Sequence, residues 1–450
     1  MAPPDFDALL RTMRTLGVRR LYFKRLAEND NSKQQVYLGG SFEVLKVLPF
    51  SDIVSSPGGS RPNFKAALDL SWLDDSGASE RATGAQLILY PDYPEVRLSG
   101  FLRGCRLAPV ALMRPVPGDS RRFNNGPDGR VLVLGATEFG RIFAYLAPAE
   151  TTIARTLENR AADAGWTAIG VLVEIPMDQP TPARRAELLN RLAEVFSTGW
   201  HASVRRNAEG MVVPYVARNA AGYTLEAQFG ITPNANSGPD FLGWELKAVG
   251  SLRITLMTPE PDGGYYGAHG VENFVRRFGH SRADDTIYFT GTHKVGAVCE
   301  ATGQILRLAG FDTATAKIVD VSGGIELRDG NGVVSAAWSY SSLIRHWSKK
   351  HAAAAFVPYI RSEADPVRYK YGNEVMLGEG AEFPRYLLAM QNGTVVYDPG
   401  SKVSFASTAR SRTKARNQFR SVLSRLDALY SRFERLALVN GNWEVRSRTG

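Results

Sequence analysis

Short apolar runs separated by turn-forming residues characterise the first part of the chain, up to about residue 175. Runs of this kind predict strands, and the clusters of Gly, Pro, Asn and Asp between them predict tight turns. A helix is predicted ahead of them, at about residues 6–16. The pattern is typical of a small, mostly β barrel or sandwich. The predicted strands start at Gln35, Phe42, Ala85, Val96, Arg130 and Ile142.

A proline-containing stretch at residues 176–183 predicts a linker, because proline disfavours both helix and strand. Leu188, Leu192 and Val195 follow at helical spacing. We therefore expect a first domain at 1–175 and a second at 184–450, the second of α/β or α+β class. Its predicted helices are 268–278, 340–353 and 412–437, and its predicted strands are 241–248, 286–290, 317–321, 354–360 and 394–398.

Composition narrows the class of protein. The 450 residues are 44% hydrophobic and 22% charged, which suits a globular chain of two or three domains. Cys105 and Cys299 lie far apart without a CxxC pair, so a disulfide framework and a structural zinc site are disfavoured. The N-terminus lacks a signal-peptide pattern, and no long apolar run occurs. We expect a cytoplasmic protein without membrane insertion.

The net charge of +9 is unevenly distributed. Residues 1–200 carry 24 basic and 22 acidic residues, whereas the last fifty residues carry 11 and 3. A local basic excess favours a polyanionic partner such as nucleic acid, although many enzymes have basic surfaces without such a partner.

Pro239-Asp240 and Glu245-Leu246-Lys247 form a PD-(D/E)XK pattern with four residues between Asp240 and Glu245. On a strand at 241–248, Glu245 and Lys247 share one face, and apolar residues share the other. Two carboxylates suit Mg²⁺, and a lysine beside them can orient the water that attacks a phosphodiester. The alternative is a solvated edge strand that carries Glu and Lys by chance.

The segment from Gly222 to Lys247 resembles the MvaI/BcnI restriction endonuclease family, whose nuclease fold is similar to the MutH-like fold. The matching positions are Gly222 to Glu226, Asn234, and Asp240 to Lys247. The resemblance implies that Glu226 joins the metal site. It also implies a monomeric enzyme that cuts double-stranded DNA at a short GC-rich, CCWGG-like target.

Basic groups of the second domain are candidate DNA contacts. The helix at 340–353 resembles a segment through which basic side chains of that family approach DNA. A solvated helix surface and buried structural histidines remain alternatives. The candidates are His293, Lys294, Arg345, His346, Lys349, Lys350, Arg410, Arg412 and Lys414.

Residues 21–40 of the first domain are dense in amides that can bond to base edges. The candidates are Lys24, Arg25, Asn29, Asn31, Lys33, Gln34 and Gln35, with a second group of Arg97, Arg103 and Arg106. This region resembles the B-three-like DNA-binding pseudobarrels of the EcoRII effector-domain type. That resemblance implies binding of a second DNA target copy. A polar hairpin without a ligand is the alternative.

Together these features predict a Mg²⁺-dependent type II restriction endonuclease. Two other functions remain open at this point. One is a MutH-like enzyme that nicks a single strand, and the other is a DNA-binding regulator without catalysis.

Overall fold

The computed structural model consists of two compact units, Met1–Thr181 and Pro182–Gly450. Most of the predicted linker lies outside the described residues. The structure describes residues 5–26, 35–40, 42–93, 95–113, 129–149, 151–164, 166, 168–177, 184–232, 240–282, 284–350, 353–363 and 365–446.

Within its described residues, the first unit combines two α-helices with strands. The helices are α1 (Phe6–Thr15) and α2 (Thr152–Ala164). The strands are β1 (Val18–Arg25), β2 (Val36–Gly39), β3 (Ile53–Ser56), β4 (Asn63–Ala67), β5 (Asp69–Leu73), β6 (Ser79–Ala82), β7 (Gln86–Tyr90), β8 (Glu95–Ser99), β9 (Val131–Thr137), β10 (Arg141–Ala147), β11 (Ala168–Ile169) and β12 (Leu172–Ile175).

These strands form a seven-stranded sheet in the order β11-β12-β1-β9-β10-β5-β6 and a five-stranded sheet in the order β2-β8-β7-β4-β3. Helix α1 begins at the N-cap Asp5, whose carboxylate accepts the N–H of Ala8 at 2.6 Å. Its buried residues, including Phe6 and Met13, pack against the larger sheet together with α2. The first unit is therefore mostly β, as predicted.

The second unit has more helices. They are α3 (Arg184–Thr198), α4 (Ala220–Gln228), α5 (Gly264–Phe278), α6 (Tyr340–Lys350) and α7 (Phe383–Gln391). Its strands are β13 (Trp200–Ala202), β14 (Val204–Arg206), β15 (Val212–Pro214), β16 (Glu245–Val249), β17 (Arg253–Met257), β18 (His280–Arg282), β19 (Thr286–Thr290), β20 (Val298–Cys299), β21 (Gln304–Ala309), β22 (Phe311–Asp312), β23 (Lys317–Ile318), β24 (Gly324–Arg328), β25 (Val334–Ser339), β26 (Ala353–Arg361), β27 (Arg368–Tyr371), β28 (Glu374–Ala381), β29 (Val395–Tyr397), β30 (Gly400–Ser404), β31 (Arg412–Lys414), β32 (Phe419–Val422), β33 (Tyr430–Val439) and β34 (Asn442–Val445).

One sheet organises this unit, in the order β13-β27-β26-β28-β33-β34, with β16 parallel to β26. One face of the sheet is apolar, with Leu246 and Leu377 among its buried residues. Leu188 of α3 and Leu225 of α4 belong to the same core cluster. Since side chains alternate along a strand, Glu245 and Lys247 lie on the opposite face.

The mixed α/β class is confirmed, but two element predictions were wrong. The predicted helix at 412–437 consists of β31, β32, a 3₁₀ segment at Leu423–Leu429 and β33. The helical spacing of its apolar residues did not decide the conformation, because β32 pairs with both β17 and β29. The predicted strand from Phe42 is a 3₁₀ helix, Phe42–Lys46.

None of the described helices is long and apolar enough to cross a membrane.

Candidate functional site

A two-residue turn separates Asp240 from Glu245. Phe241 and Trp244 exchange backbone hydrogen bonds of 2.9 and 2.8 Å. The central residues Leu242 and Gly243 have φ values of +48° and +90°, as in a type I′ turn. The predicted strand at 241–248 therefore begins later, at Glu245, because the chain first reverses direction at this turn.

The turn brings the Asp240 side chain back to the beginning of β16. One carboxylate oxygen of Asp240, Oδ2, accepts the backbone N–H of Leu246 at 2.8 Å. Leu246 follows Glu245 directly, so this hydrogen bond holds the Asp240 carboxylate beside the backbone at the beginning of β16. The four-residue spacing of the motif is the length that this turn requires.

Glu245 and Lys247 form an ion pair on the face of the sheet opposite the apolar core. Lys247 Nζ lies 3.1 Å from Glu245 Oε1. Glu245 is 7% exposed, and the Lys247 side chain is 15% exposed. Buried charges need close partners, since water does not compensate them. The pair is thus held in a partly desolvated position, unlike a solvated edge strand.

Glu226 lies on α4, the helix whose Ala221 and Leu225 pack in the same core as Leu246. Glu226 is half-buried. The pKa of Tyr371 is raised mainly by burial, with smaller contributions from neighbouring tyrosines and from the charge of Glu226. Glu226 is therefore near Tyr371 on β27, and its part in a metal site stays a prediction. Asn234 lies outside the described residues.

The donor chemistry of Asp240 and Glu245 fits Mg²⁺. Magnesium prefers hard oxygen ligands and is commonly held by one or two carboxylates, with water completing its coordination. Within the described part of the chain, no group of three or more His, Cys, Asp or Glu side chains is arranged to hold a metal. Water and phosphate oxygens would therefore supply the other ligands.

A cleft of about 880 Å³ opens on the same unit. Met376 and Arg435 line the cleft, and both are in register with Lys247 through Phe356. Directly paired residues point to the same face of a sheet, so the cleft lies on the face that carries Glu245 and Lys247. Its basic lining residues are Arg253, Lys294, Arg420, Arg425, Arg435 and Arg446.

Acidic residues offset only part of this positive charge. Glu374 is the acidic residue among the described lining residues of the cleft. Asp398 pairs with two of the basic residues, at 3.5 Å from Arg253 and 2.8 Å from Arg420. The cleft therefore keeps a positive excess. Of its basic residues, the sequence pattern indicated Lys294 and also Arg420, which ends the basic run that starts at Arg410, whereas the others are spread along the chain.

His293 was a candidate DNA contact, and the structure corrects this prediction. Its side chain is fully buried, stacks on Phe289 and bonds to Thr302 Oγ1 at 2.8 Å. Burial lowers the pKa of His293 to about 4, so the ring is neutral at physiological pH. His293 is a structural residue that supports the neighbouring Lys294.

The other candidates of this unit are dispersed. Arg345 and His346 are half-buried on α6, and the side chains of Lys349 and Lys350 lie outside the described part. Arg410, Arg412 and Lys414 are exposed at and before β31 and do not line the cleft. The structure therefore brings Lys294 together with the cleft residues and leaves Arg410, Arg412 and Lys414 outside the cleft.

In the first unit, Lys24, Gln35 and Arg97 come together around Tyr37. Lys24 lies 5.9 Å from the Tyr37 ring centroid, and Tyr37 is the cross-strand partner of Arg97. Arg97 donates to Gln35 at 3.2 Å and pairs with Glu95 at 2.9 Å. We call Lys24, Gln35, Tyr37 and Arg97 the β2–β8 patch. Burial lowers the pKa of Lys24.

The remaining candidates of the first unit are distributed differently. Arg25 contacts the carbonyl of Gly129 at 3.4 Å. Arg106 pairs with Glu80, and the backbone carbonyl of Arg103 accepts the N–H of Thr83. Asn29, Asn31, Lys33 and Gln34 lie outside the described residues.

Comparison with known proteins gives one family match. The model of the MvaI/BcnI restriction endonuclease family matches residues 189–430, more than half of the chain. A solved complex of restriction endonuclease MvaI with its cognate DNA substrate is 17% identical, with 56% of this chain and 98% of that chain covered and a TM-score of 0.44. MvaI in the absence of DNA is 15% identical, with 57% and 99% covered and a TM-score of 0.32. No curated protein sequence matches.

The turn before β16 yields a first prediction. In a Gly243→Ala variant the added Cβ meets little steric hindrance, but a positive φ costs an alanine about 1–2 kcal/mol. We expect the free energy of unfolding, measured in urea, to fall by this amount. We also expect DNA cleavage to fall at least about tenfold, because the turn positions Asp240.

Gly441→Ala is the matched control. Asn440 and Gly441 form another turn with two positive φ values, +49° and +82°, between β33 and β34. Its stability loss should be similar while cleavage stays unchanged. Equal loss of cleavage in both variants would show that the Gly243 effect comes from stability alone.

Proposed function

This chain belongs to the MvaI/BcnI restriction endonuclease family, and we propose that Asp240, Glu245 and Lys247 form the centre at which it hydrolyses double-stranded DNA. The chain is thus a site-specific deoxyribonuclease of type II restriction class. The observation that carries the proposed centre is the partly buried Glu245–Lys247 pair beside the positioned carboxylate of Asp240.

In this proposal Asp240 and Glu245 hold Mg²⁺, and Glu226 is kept as a catalytic candidate from the family resemblance alone, because, among the described residues, the structure does not group it with them as a third ligand. Bound Mg²⁺ would lower the pKa of a coordinated water and offset negative charge on the reacting phosphate. Lys247, with three N–H donors, can keep one on Glu245 and direct another to the attacking water or a phosphate oxygen. Because the pair is partly desolvated, these interactions act in a medium where electrostatic effects are stronger than in water.

Substitution of the charged pair tests this assignment. We expect Glu245→Gln and Lys247→Met to lower the rate of plasmid cleavage in Mg²⁺ at least about 100-fold. Thermal unfolding of each variant checks that the fold persists. Loss of activity should also follow removal of Mg²⁺ with a chelator.

Glu326 and Arg328 provide a matched control. They are also two residues apart on a strand, β24, and form an ion pair of 2.7 Å. Glu326→Gln and Arg328→Met should leave cleavage intact. Undiminished cleavage in Glu245→Gln or Lys247→Met would refute the assignment, and a product that stops at nicked circles would indicate a nicking enzyme.

The basic cleft is the surface that we propose for the DNA backbone near the cut. Four strands in register run from Lys247 to Arg435, a distance of about 14 Å at about 4.8 Å between strands. Five base pairs span about 17 Å. Arg435 is therefore within one target length of the proposed centre, and its exposed guanidinium suits a phosphate contact.

Salt-dependent binding tests this surface. We expect Arg435→Ala and Arg425→Ala each to weaken DNA binding severalfold and to reduce the slope of log affinity against log salt by about 1. Arg410→Ala, outside the cleft, should have the smaller effect. A larger effect of Arg410→Ala would indicate that the backbone follows the β31 surface instead.

For the first unit we propose a B-three-like domain that binds a second copy of a CCWGG-like target, in an enzyme that acts as a monomer. Support comes from the β2–β8 patch, where Lys24, Gln35 and Arg97 cluster with Tyr37. Arg97 and Gln35 suit bidentate contacts with base edges. They bond to each other in this structure, so DNA would have to replace that hydrogen bond.

Plasmids with one or two target copies test the second binding site. We expect the full chain to cut the two-copy plasmid faster, and Arg97→Ala to remove that advantage while leaving one-copy cleavage unchanged. Arg81→Ala, which removes a similar ion pair with Asp69 at 2.9 Å, is the control. Equal cleavage of both plasmids by the unaltered chain would exclude an effector role, and sequencing of the cut ends identifies the target.

A further inference from the structure

Tyr430 is a buried residue that the proposed chemistry does not yet use. Its side chain is 3% exposed, and its hydroxyl has no hydrogen-bond partner within the described part of the chain. A buried hydroxyl without a partner is destabilising, and phenylalanine would fill nearly the same space without that penalty. The hydroxyl of Tyr430 is therefore a donor whose hydrogen bond is not used within the described part of the chain.

The sheet explains why Tyr430 reaches the catalytic face. Glu245, Ala354 and Gly378 are consecutive partners across β16, β26 and β28, so they share one face. Gly378 leaves room there, since a Cβ at this position would lie 2.6 Å from the Tyr430 ring. The ring fills that space and packs edge-on against Phe356, the strand partner of Lys247, at 6.1 Å between centroids.

The negative charge of Glu245 acts electrostatically on the Tyr430 hydroxyl. Burial raises the pKa of Tyr430 well above its ordinary value, and the Glu245 carboxylate raises it further. The hydroxyl is thus a donor, beside a carboxylate that can accept several hydrogen bonds. Lys247 occupies Oε1 of Glu245, which leaves Oε2 for a metal ion and a second donor.

We propose that Tyr430 is a positioning residue that donates a hydrogen bond to Glu245 when this carboxylate binds Mg²⁺. The inference rests on the proposed function, because it takes Glu245 as a metal ligand. Groups that bond to metal-binding carboxylates orient them, and their loss typically lowers metal affinity 10- to 100-fold. Tyr430 would help to fix the rotamer of Glu245 from Oε2, while Lys247 keeps its hydrogen bond to Oε1.

The test uses the full chain titrated with Mg²⁺ alone, followed by thermal unfolding, and the Mg²⁺ dependence of cleavage as a second measurement. We expect Tyr430→Phe to keep or slightly raise the metal-free Tm. We also expect it to raise the half-saturating Mg²⁺ concentration about tenfold in both measurements.

Tyr386→Phe is the matched control. Its hydroxyl is also buried and has no hydrogen-bond partner among the described residues. Its ring packs on Trp347, with 4.7 Å between the ring centroids. Burial alone raises the pKa of Tyr386. This variant should bind Mg²⁺ like the unaltered chain.

The outcomes separate this inference from the proposed function. A Tyr430→Phe half-saturation within twofold of the unaltered chain, while Glu245→Gln loses its Mg²⁺ response, overturns the inference alone. A Glu245→Gln variant that responds to Mg²⁺ like the unaltered chain overturns the metal assignment and the inference together, as does an unaltered chain that shows no Mg²⁺ dependence.

Discussion

The burial of two opposite charges on one strand is the constraint on which the second unit depends. On folding, the Glu245 and Lys247 side chains lose most of their contact with water. Leu246, which lies between them on the same strand, must at the same time pack into the apolar core. Both conditions hold because a strand alternates its side chains. The ion pair and the Asp240–Leu246 hydrogen bond offset part of the cost of removing these charges from water.

The same alternation organises the rest of the sheet. Its apolar face lies under α3 and α4, so the opposite face is free for charged groups and for the cleft. Small residues on that face leave space for a side chain from a more distant strand. Gly378, in register with Glu245 through Ala354, leaves the space in which the Tyr430 ring lies, although Tyr430 belongs to β33, three strands away from β16.

The fold of the second unit shows where the basic residues of the chain lie. The excess in the last fifty residues divides between the exposed β31 region, with Arg410 and Arg412, and the cleft, with Arg420, Arg425 and Arg435. Arg253 and Lys294 join the cleft from distant parts of the sequence. A run of basic residues marks a region of the chain, whereas a binding surface is a property of neighbouring elements.

Sequence alone determined the features that depend on local order: the PD-(D/E)XK spacing, the helices at α1, α3, α5 and α6, and the mixed α/β class. Tertiary structure decided the rest. It replaced the predicted helix at 412–437 with paired strands, since pairing with β17 and β28 overrides local periodicity. It also buried His293 and assembled the cleft. The physical reason is that spacing along a chain specifies which side chains share one element, whereas burial and charge clustering depend on contacts between elements far apart in sequence.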